Sequence, residues 1–169
     1  PVNTTCIAEE LAESLLFGSC KGAYTGAVDK DGLFSEAHQG TLFFDEIENL
    51  TLNLQAKLLR VIETHEYYKL GGTQKYSSDF RLICATNCDL QEMVDQGLFR
   101  LDLFYRLDVA HLIVPPLRQH KEDIGLLAYN YLRQMRKHLS REALSLLCKY
   151  NWPGNVRELF NCLERAVVA

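Results

Sequence analysis

The sequence contains no apolar run near the roughly 18 residues of a membrane-spanning helix, and its first residues lack the basic-then-apolar order of a secretory signal. Basic residues are not in excess either, because 18 Lys and Arg stand against 22 Asp and Glu, giving a net charge of −4. These absences argue against a membrane protein, a secreted protein and a domain that grips nucleic acid through a broad positive surface. They favour a cytoplasmic protein.

The six cysteines include no C-x-x-C pair, the spacing that often marks redox and zinc sites. Most lie within apolar segments, so reduced thiols in the core of a cytoplasmic protein are the favoured interpretation. Cys84 and Cys88 are close in sequence, but no further zinc ligands accompany them.

The phosphate-binding motif G-x-x-x-x-G-K-[ST] is also absent. Residues 18–22 (GSCKG) contain glycines and a lysine, but in the wrong order for a phosphate cradle.

What is present is an ordinary globular composition, with 47% hydrophobic and 24% charged residues. The apolar runs in 40–47, 80–87 and 110–117 predict three buried strands, the last ending at two prolines. Helical patterns occur between and after them. The alternation predicts an α/β fold with a parallel sheet flanked by helices in residues 1–117, followed by a small helical subdomain in 118–169.

Several helix boundaries can be predicted from side chains. Ile7, Leu11 and Leu15 recur at every fourth position and predict a short helix. Thr51 and Ser140 are predicted to cap the helices that follow them. In the segment NVRE, Asn155 and Glu158 resemble a capping box at the start of the last helix.

Polar residues follow two of the predicted strands, where ligands gather in open α/β sheets. A hydrophobic strand followed by Asp45 and Glu46 is the Walker B pattern, in which the first acid holds Mg²⁺ and the second orients an attacking water. Thr86 and Asn87 follow the next strand and would hydrogen-bond a γ-phosphate or that water. The simpler alternative is a solvated strand end.

Three arginines are candidates for phosphate recognition, because the guanidinium is a rigid and always charged fork. Arg100 and Arg106 flank the segment LDLFY, and Arg157 lies in the first turn of the last helix. The alternative for each is an ordinary surface salt bridge.

Tyr24 lies within KGAYTGA, a loop of small residues that offers no apolar stripe for the ring to pack against. The residues around it therefore leave open what the ring contacts.

Taken in order along the chain, these motifs resemble the central AAA+ domain of bacterial enhancer-binding activators of sigma-54 RNA polymerase. The resemblance covers nearly the whole chain and rests on GAYTGA, GTLFFDEI, LICATN, FRLDLFYRL, PPLRQHKEDI and WPGNVREL.

The resemblance implies ATP and Mg²⁺ as cofactors and a head-to-tail ring, most commonly a hexamer. Asp45 and Glu46 would form Walker B, and Thr86 with Asn87 would form sensor I. Arg100 and Arg106 would be arginine fingers that reach a neighbouring subunit's nucleotide, and Arg157 would be sensor II. Asn3 occupies the position of an asparagine that restrains the catalytic glutamate.

The resemblance also implies the partner of the loop. Its residues Gly22, Ala23, Tyr24, Thr25, Gly26 and Ala27 would contact sigma-54, rising with ATP and falling after phosphate release. Residues 67–79 resemble a second substrate-facing loop. DNA would be bound only through a domain absent from this sequence.

The sequence departs from the family pattern at several places. Tyr24 stands where phenylalanine is usual, and Ser19 and Cys20 replace a customary His-Glu. The missing P-loop predicts a fragment that is inactive by itself. Besides part of an activator ATPase, two functions stay open: an ATPase-dead module that binds sigma factor or sister subunits, and another AAA+ machine such as a helicase loader or chelatase subunit.

Overall fold

The computed structural model describes the backbone of residues 2–3 and 9–168 and the side chains of residues 11–168. Two compact units divide between His111 and Leu112, six residues before the boundary drawn from the sequence. None of the described helices combines the length and the hydropathy that crossing a bilayer requires.

The first unit alternates strands and helices. Its strands are β1 (Val2–Asn3), β2 (Gly18–Ser19), β3 (Lys30–Asp31), β4 (Thr41–Asp45), β5 (Glu66–Tyr68), β6 (Lys75–Ser77) and β7 (Arg81–Cys84). Its helices are α1 (Glu9–Phe17), α2 (Leu33–Glu36), α3 (Leu52–Thr64), α4 (Leu90–Asp95) and α5 (Leu101–Leu107), with a 3₁₀ turn at Ile47–Asn49.

The central sheet is parallel, in the order β1-β4-β7. Phe44 pairs with Val2 on one side and with Cys84 on the other, so the carboxyl ends of all three strands meet at one edge. Two antiparallel pairs, β2-β3 and β5-β6, accompany it. The second of these pairs is a hairpin, and it overlaps residues 67–79, the segment that resembles a second substrate-facing loop.

The core of the first unit forms between α1, α2, α3 and the sheet. Phe34, Phe44 and Leu58 are fully buried at its centre. Thr51 caps α3 as predicted, because its hydroxyl accepts from the Leu54 N–H at 3.4 Å.

Two apolar patterns in the first unit differ from the predictions. Leu11 is 55% exposed, and α1 instead buries Ala12 and Leu16, while Ile7 lies outside the described residues. Strand β7 is not fully buried, since Ile83 is 41% exposed. In the described sheet β7 lies at an edge, where one side of the strand lacks a neighbour.

The predicted third strand in 110–117 is wrong. Residues 110–116 adopt no regular secondary structure, and Leu112, Ile113 and Val114 are each at least 78% exposed. A strand needs a partner for its backbone N–H and C=O groups, and nothing in the described part of the chain pairs with this segment.

The second unit is helical. It contains a 3₁₀ turn (Leu117–Gln119), α6 (Asp123–Gln134), α7 (Arg141–Lys149) and α8 (Asn155–Val168). Its core is built from one face of α6 and one of α8, together with Trp152. Ser140 caps α7 as predicted, accepting from the Ala143 N–H at 3.1 Å.

The predicted capping box at α8 is wrong in its partners. Glu158 Oε2 accepts from the N–H of Gly154 at 2.8 Å, so Gly154 takes the capped position. Asn155 begins α8 with φ of 51°, in the left-handed region, and its Oδ1 accepts from the Leu117 N–H at 2.9 Å. A side chain assigned to a local cap therefore holds a segment 38 residues away.

Candidate functional site

The predicted Walker B and sensor residues lie at the same edge of the sheet. The Ala85 N–H donates to Phe44 O at 2.8 Å, and the Ile47 N–H donates to Ala85 O at 3.1 Å. These bonds fasten the turn after β4 to the segment after β7. Asp45 and Glu46 are half-buried there, whereas Thr86 and Asn87 are exposed.

Glu46 occupies an unusual backbone conformation. Its φ of 57° lies in the left-handed region, which costs a non-glycine residue about 1 kcal/mol or more. Its Oε2 accepts a hydrogen bond from Asn49 Nδ2 at 3.3 Å. The turn therefore gives this carboxylate a defined position at the strand end.

Thr86, Asn87 and Cys88 form a compact turn after β7. The Thr86 hydroxyl accepts from the Cys88 N–H at 3.1 Å, and the Cys88 thiol donates to Asn87 Oδ1 at 3.1 Å. Cys88 is exposed, which corrects its interpretation as a core thiol. Partial desolvation and then the charge of Glu48 raise the pKa of the Cys88 thiol.

Asn3 lies opposite Asp45 in the parallel pairing of β1 with β4. The register therefore brings its backbone to the strand-end edge. Its side chain lies outside the described residues, so its assignment as a restraint on Glu46 stays a prediction.

Glu48 was not indicated by the sequence motifs. It is buried in the 3₁₀ turn, and its Oε1 accepts from the Asn87 N–H at 3.4 Å. Within the described part of the chain, Glu48 Oε2 is buried without a hydrogen-bond partner. A third acid two positions after the Walker B pair was the only available signal.

Arg100 directly precedes α5 and is paired within its own chain. Its Nε and one terminal nitrogen donate to the two oxygens of Asp102 at 3.0 and 2.6 Å. The Arg100 hydrogen bond lowers the pKa of the Asp102 carboxyl. Arg106 is exposed on α5 and forms no ion pair among the described residues.

Gln55, which the motifs also missed, connects the region after Walker B to Arg100. Its side chain is fully buried, and its Nε2 donates to Leu50 O at 2.8 Å and to Leu98 O at 3.1 Å. Its Oε1 accepts from the Arg100 N–H at 2.9 Å. A glutamine on the apolar stripe of α3 was the signal that could have identified it.

The GAYTGA loop is a closed turn. The Ala27 N–H donates to Tyr24 O at 2.9 Å, and the Gly22 N–H donates to Ala27 O at 3.4 Å. Gly22 and Gly26 have φ of 86° and 84°, a conformation that favours glycine. The two glycines therefore allow the backbone to close this turn.

Tyr24 is half-buried, with one contact that the sequence did not indicate. Its hydroxyl lies 3.3 Å from the hydroxyl of Ser14, a buried residue of α1. Thr25 and Gly26 are exposed beside it. The hydroxyl end of the Tyr24 side chain therefore contacts α1.

The loop of the β5-β6 hairpin packs against the base of the GAYTGA loop. The Cys20 N–H donates to Leu70 O at 2.9 Å, and a Cβ added to Gly71 would lie 2.7 Å from Ala23 Cβ. Buried Lys69 pairs with Asp31 at 2.9 Å and Asp29 at 3.3 Å. Hydrogen bonding to Asp31, and then to Asp29, raises the pKa of Lys69 despite burial.

Arg157 lies in the second unit, exposed near the start of α8. With Gly154, Glu158 and Asn161 it lines an open groove along that helix. Its assignment as sensor II stays a prediction.

The strand-end residues fit the donor set of a Mg²⁺–nucleotide complex. Mg²⁺ prefers oxygen ligands and usually takes one or two carboxylates together with phosphate oxygens, which Asp45 can supply in part. Thr86 and Asn87 offer neutral hydrogen-bonding groups beside it. Within the described residues no group of three or more His, Cys, Asp or Glu side chains could hold a metal.

Comparison with known proteins identifies the family. The profile of the sigma-54 interaction domain matches residues 1–113, and that of an AAA+ ATPase lid domain matches residues 118–169. The chain belongs to the sigma-54 interaction domain family. The sequence-based recognition of this family is therefore confirmed.

Similar members of the sigma-54 interaction domain family are regulatory proteins. The chain is 51% identical to the regulatory protein AtoC of Escherichia coli strain K12, over 99% of this chain and 38% of AtoC. It is 48% identical to the Nif-specific regulatory protein of Azospirillum brasilense, over 98% of this chain and 28% of that protein. The chain thus spans well under half of each relative.

Solved structures confirm the predicted α/β fold with its helical C-terminal part. NtrX from Brucella abortus, solved in complex with ADP, has a TM-score of 0.87 and 34% identity, over 97% of this chain and 38% of NtrX. Hsp104 has a TM-score of 0.72 at 19% identity, covering 99% of this chain and 34% of Hsp104, and supports the fold alone.

Proposed function

We propose that this chain is part of an ATP-dependent activator of sigma-54 RNA polymerase, in which ATP hydrolysis drives promoter opening through the GAYTGA loop. The observation that carries the proposal is the single sheet edge shared by Asp45, Glu46, Thr86 and Asn87. Family membership and the NtrX structures with ADP and ATP support a nucleotide at this edge.

The residues of the edge have distinct roles in this proposal. Asp45 would hold Mg²⁺, which when bound neutralises charge on the phosphates. Glu46 orients the attacking water and accepts its proton, and its left-handed backbone keeps the carboxylate in place. Thr86 and Asn87 hydrogen-bond the γ-phosphate or the water.

The coupling residues lie on the two packed loops of the first unit. Tyr24 would provide the rigid contact for sigma-54, and the hairpin loop supports the GAYTGA loop through the close approach of Gly71 to Ala23. Arg100 and Arg106 would reach the nucleotide of a neighbouring subunit in a ring, since both are exposed. Arg157 would contact the phosphates from the helical unit.

The substitution Glu46→Gln in the full-length protein tests the hydrolytic assignment. The amide keeps the shape but cannot accept the water's proton, and Asp45 still serves the metal. We expect turnover to be abolished while ATP binding, measured with a fluorescent analogue, is retained. Loss of binding in step with turnover would count against this role for Glu46.

A second candidate is a binding module that contacts sigma-54 or sister subunits without hydrolysis. Such a module would need only the loops that contact a partner, and none of the phosphate contacts that P-loop amides and lysine supply in NTPases. Tight, micromolar binding of ATP by this 169-residue chain would argue against it.

A further inference from the structure

Burial of the Glu48 carboxylate is energetically unfavourable. A buried carboxylate loses its hydration and costs several kcal/mol unless ion pairs or hydrogen bonds replace the lost water. Within the described part of the chain its Oε2 has no hydrogen-bond partner, its Oε1 accepts from the N–H of Asn87, and the carboxylate lies close enough to Cys88 to add to the effect of desolvation in raising the pKa of that thiol. Packing alone would be served better by an apolar side chain.

The contact made by Glu48 joins the two halves of the candidate site. Glu48 lies in the 3₁₀ turn that follows Glu46, and Asn87 lies in the turn after β7. The backbone bond from the Ile47 N–H to Ala85 O lies one residue before Glu48 and two residues before Asn87. The side chain of Glu48 extends this connection past Ala85 to Asn87, whose side-chain amide is the predicted sensor group.

We propose that Glu48 is a positioning residue for sensor I: its carboxylate holds the backbone N–H of Asn87 and so fixes the Asn87 amide relative to the Walker B acids. The inference rests on the proposed function. At 3.4 Å the hydrogen bond is long, as bonds of catalytic sites often are before the reacting complex forms. Glu48 itself touches neither substrate nor reacting atoms.

The test compares Glu48→Ala, Glu48→Gln and the control Glu63→Ala in the full-length protein. Alanine removes the acceptor for the Asn87 N–H, whereas glutamine keeps a carbonyl oxygen and removes the charge. Glu63 is an exposed acid on α3, so its substitution removes a carboxylate without disturbing the site.

We expect Glu48→Ala to lower kcat about tenfold, the effect of one lost hydrogen bond in the transition state, with little change in KM for ATP. Amide hydrogen exchange at Asn87 becomes faster, while Tm stays within about 3 °C because the buried charge is also removed. Glu48→Gln restores kcat and slow exchange, and Glu63→Ala matches the wild type.

Three results would overturn the inference. An unchanged kcat in Glu48→Ala removes the positioning role. An equal loss in Glu48→Gln shows that the charge matters and not the acceptor. A large fall in Tm with faster exchange throughout the unit shows a merely structural role.

Failure of the proposed function can be distinguished from failure of the inference about Glu48. If the wild-type full-length protein does not hydrolyse ATP, the exchange rate of the Asn87 amide still decides the contact. Unchanged exchange in Glu48→Ala then overturns the inference independently of any activity.

Discussion

Tyr24 combines a half-buried ring with one polar contact. The ring is half-buried on a loop whose other side chains are small, and its hydroxyl lies 3.3 Å from the hydroxyl of Ser14. A single long hydrogen bond between part-buried groups contributes on the order of 1 kcal/mol or less. We therefore expect loss of the ring to affect partner binding more than folding.

We expect Tyr24→Ala in the full-length protein to hydrolyse ATP near the normal rate but to lose sigma-54 binding, since an aromatic anchor at an interface is often worth roughly 2 kcal/mol or more. Tyr24→Phe should retain binding because it keeps the ring. Ser14→Ala is the matched control, since it removes the same hydroxyl contact from the α1 side. ATPase rate, sigma-54 binding and Tm are measured on the same preparations.

Two outcomes would contradict the assignment of Tyr24. A Tyr24→Ala protein that unfolds several degrees early would show that the ring belongs to the core. One that still opens promoters would show that the loop is not the contact.

Gln55 is a buried polar residue with three hydrogen bonds to backbone groups. Substituting leucine leaves Leu50 O, Leu98 O and the Arg100 N–H without this partner. We expect Gln55→Leu to lower the free energy of unfolding by about 2–4 kcal/mol, measured by denaturant titration.

Gln91→Leu is the control for Gln55, because Gln91 is exposed on α4 and bonds only side chains or its local turn. It should change stability by no more than about 0.5 kcal/mol. A Gln55→Leu protein as stable as the wild type would mean that the buried bonds do not organise this region.

At the scale of elements, the GAYTGA loop and the loop of the β5-β6 hairpin pack against each other. Gly71 has φ of 70° and approaches Ala23 so closely that an added Cβ would lie 2.7 Å from the Ala23 Cβ. Lys69 ties the same hairpin to Asp31 and Asp29 beyond the GAYTGA loop. A change in the hairpin should therefore displace the GAYTGA loop.

We expect Gly71→Ala to weaken sigma-54 binding by displacing Ala23 and its neighbours. Gly97→Ala is the matched control, because Gly97 has φ of 72° but open space around the added Cβ. Both substitutions place a Cβ at positive φ and should lower the free energy of unfolding by a similar amount, about 1 kcal/mol. Denaturant titration of the two variants measures this. Equal sigma-54 binding by the two variants would refute the coupling of the loops.

At the scale of the whole molecule, the proposed roles of Arg100 and Arg106 require a second subunit, because both side chains are exposed. Arg100 is paired with Asp102 in its own chain, and neither partner is buried. Head-to-tail interfaces that close make rings, as the family resemblance implies for a hexamer. An arginine that acts across such an interface cannot be judged within one subunit.

We expect Arg100→Ala or Arg106→Ala in the full-length protein to reduce hydrolysis while each subunit stays folded. An arginine supplied by a neighbour is commonly worth about 10³–10⁵ in rate in related NTPases. Mixing an arginine variant with Glu46→Gln should restore part of the activity, because some interfaces then pair an intact arginine with an intact glutamate. No recovery at any ratio, with mixed rings demonstrably formed, would argue against action across subunits.

The family, the strands that end before Glu46 and before Thr86, and the caps at Thr51 and Ser140 could all be predicted from the sequence. These features depend on local order along the chain, such as an apolar run followed by acids or a hydroxyl before a helix. The placement of polar pairs at strand ends also follows from sequence, since parallel strands bring their carboxyl ends to one edge.

Only the tertiary structure decided which side chains meet across long separations. Gln55 reaches Arg100 over 45 residues, Glu48 reaches Asn87 over 39, and Asn155 holds Leu117 in place of a local cap. The run at 110–117 reads as a strand, yet strand formation depends on a pairing partner and not on apolar residues alone. Such contacts are set by the packing of distant elements, which no local pattern records.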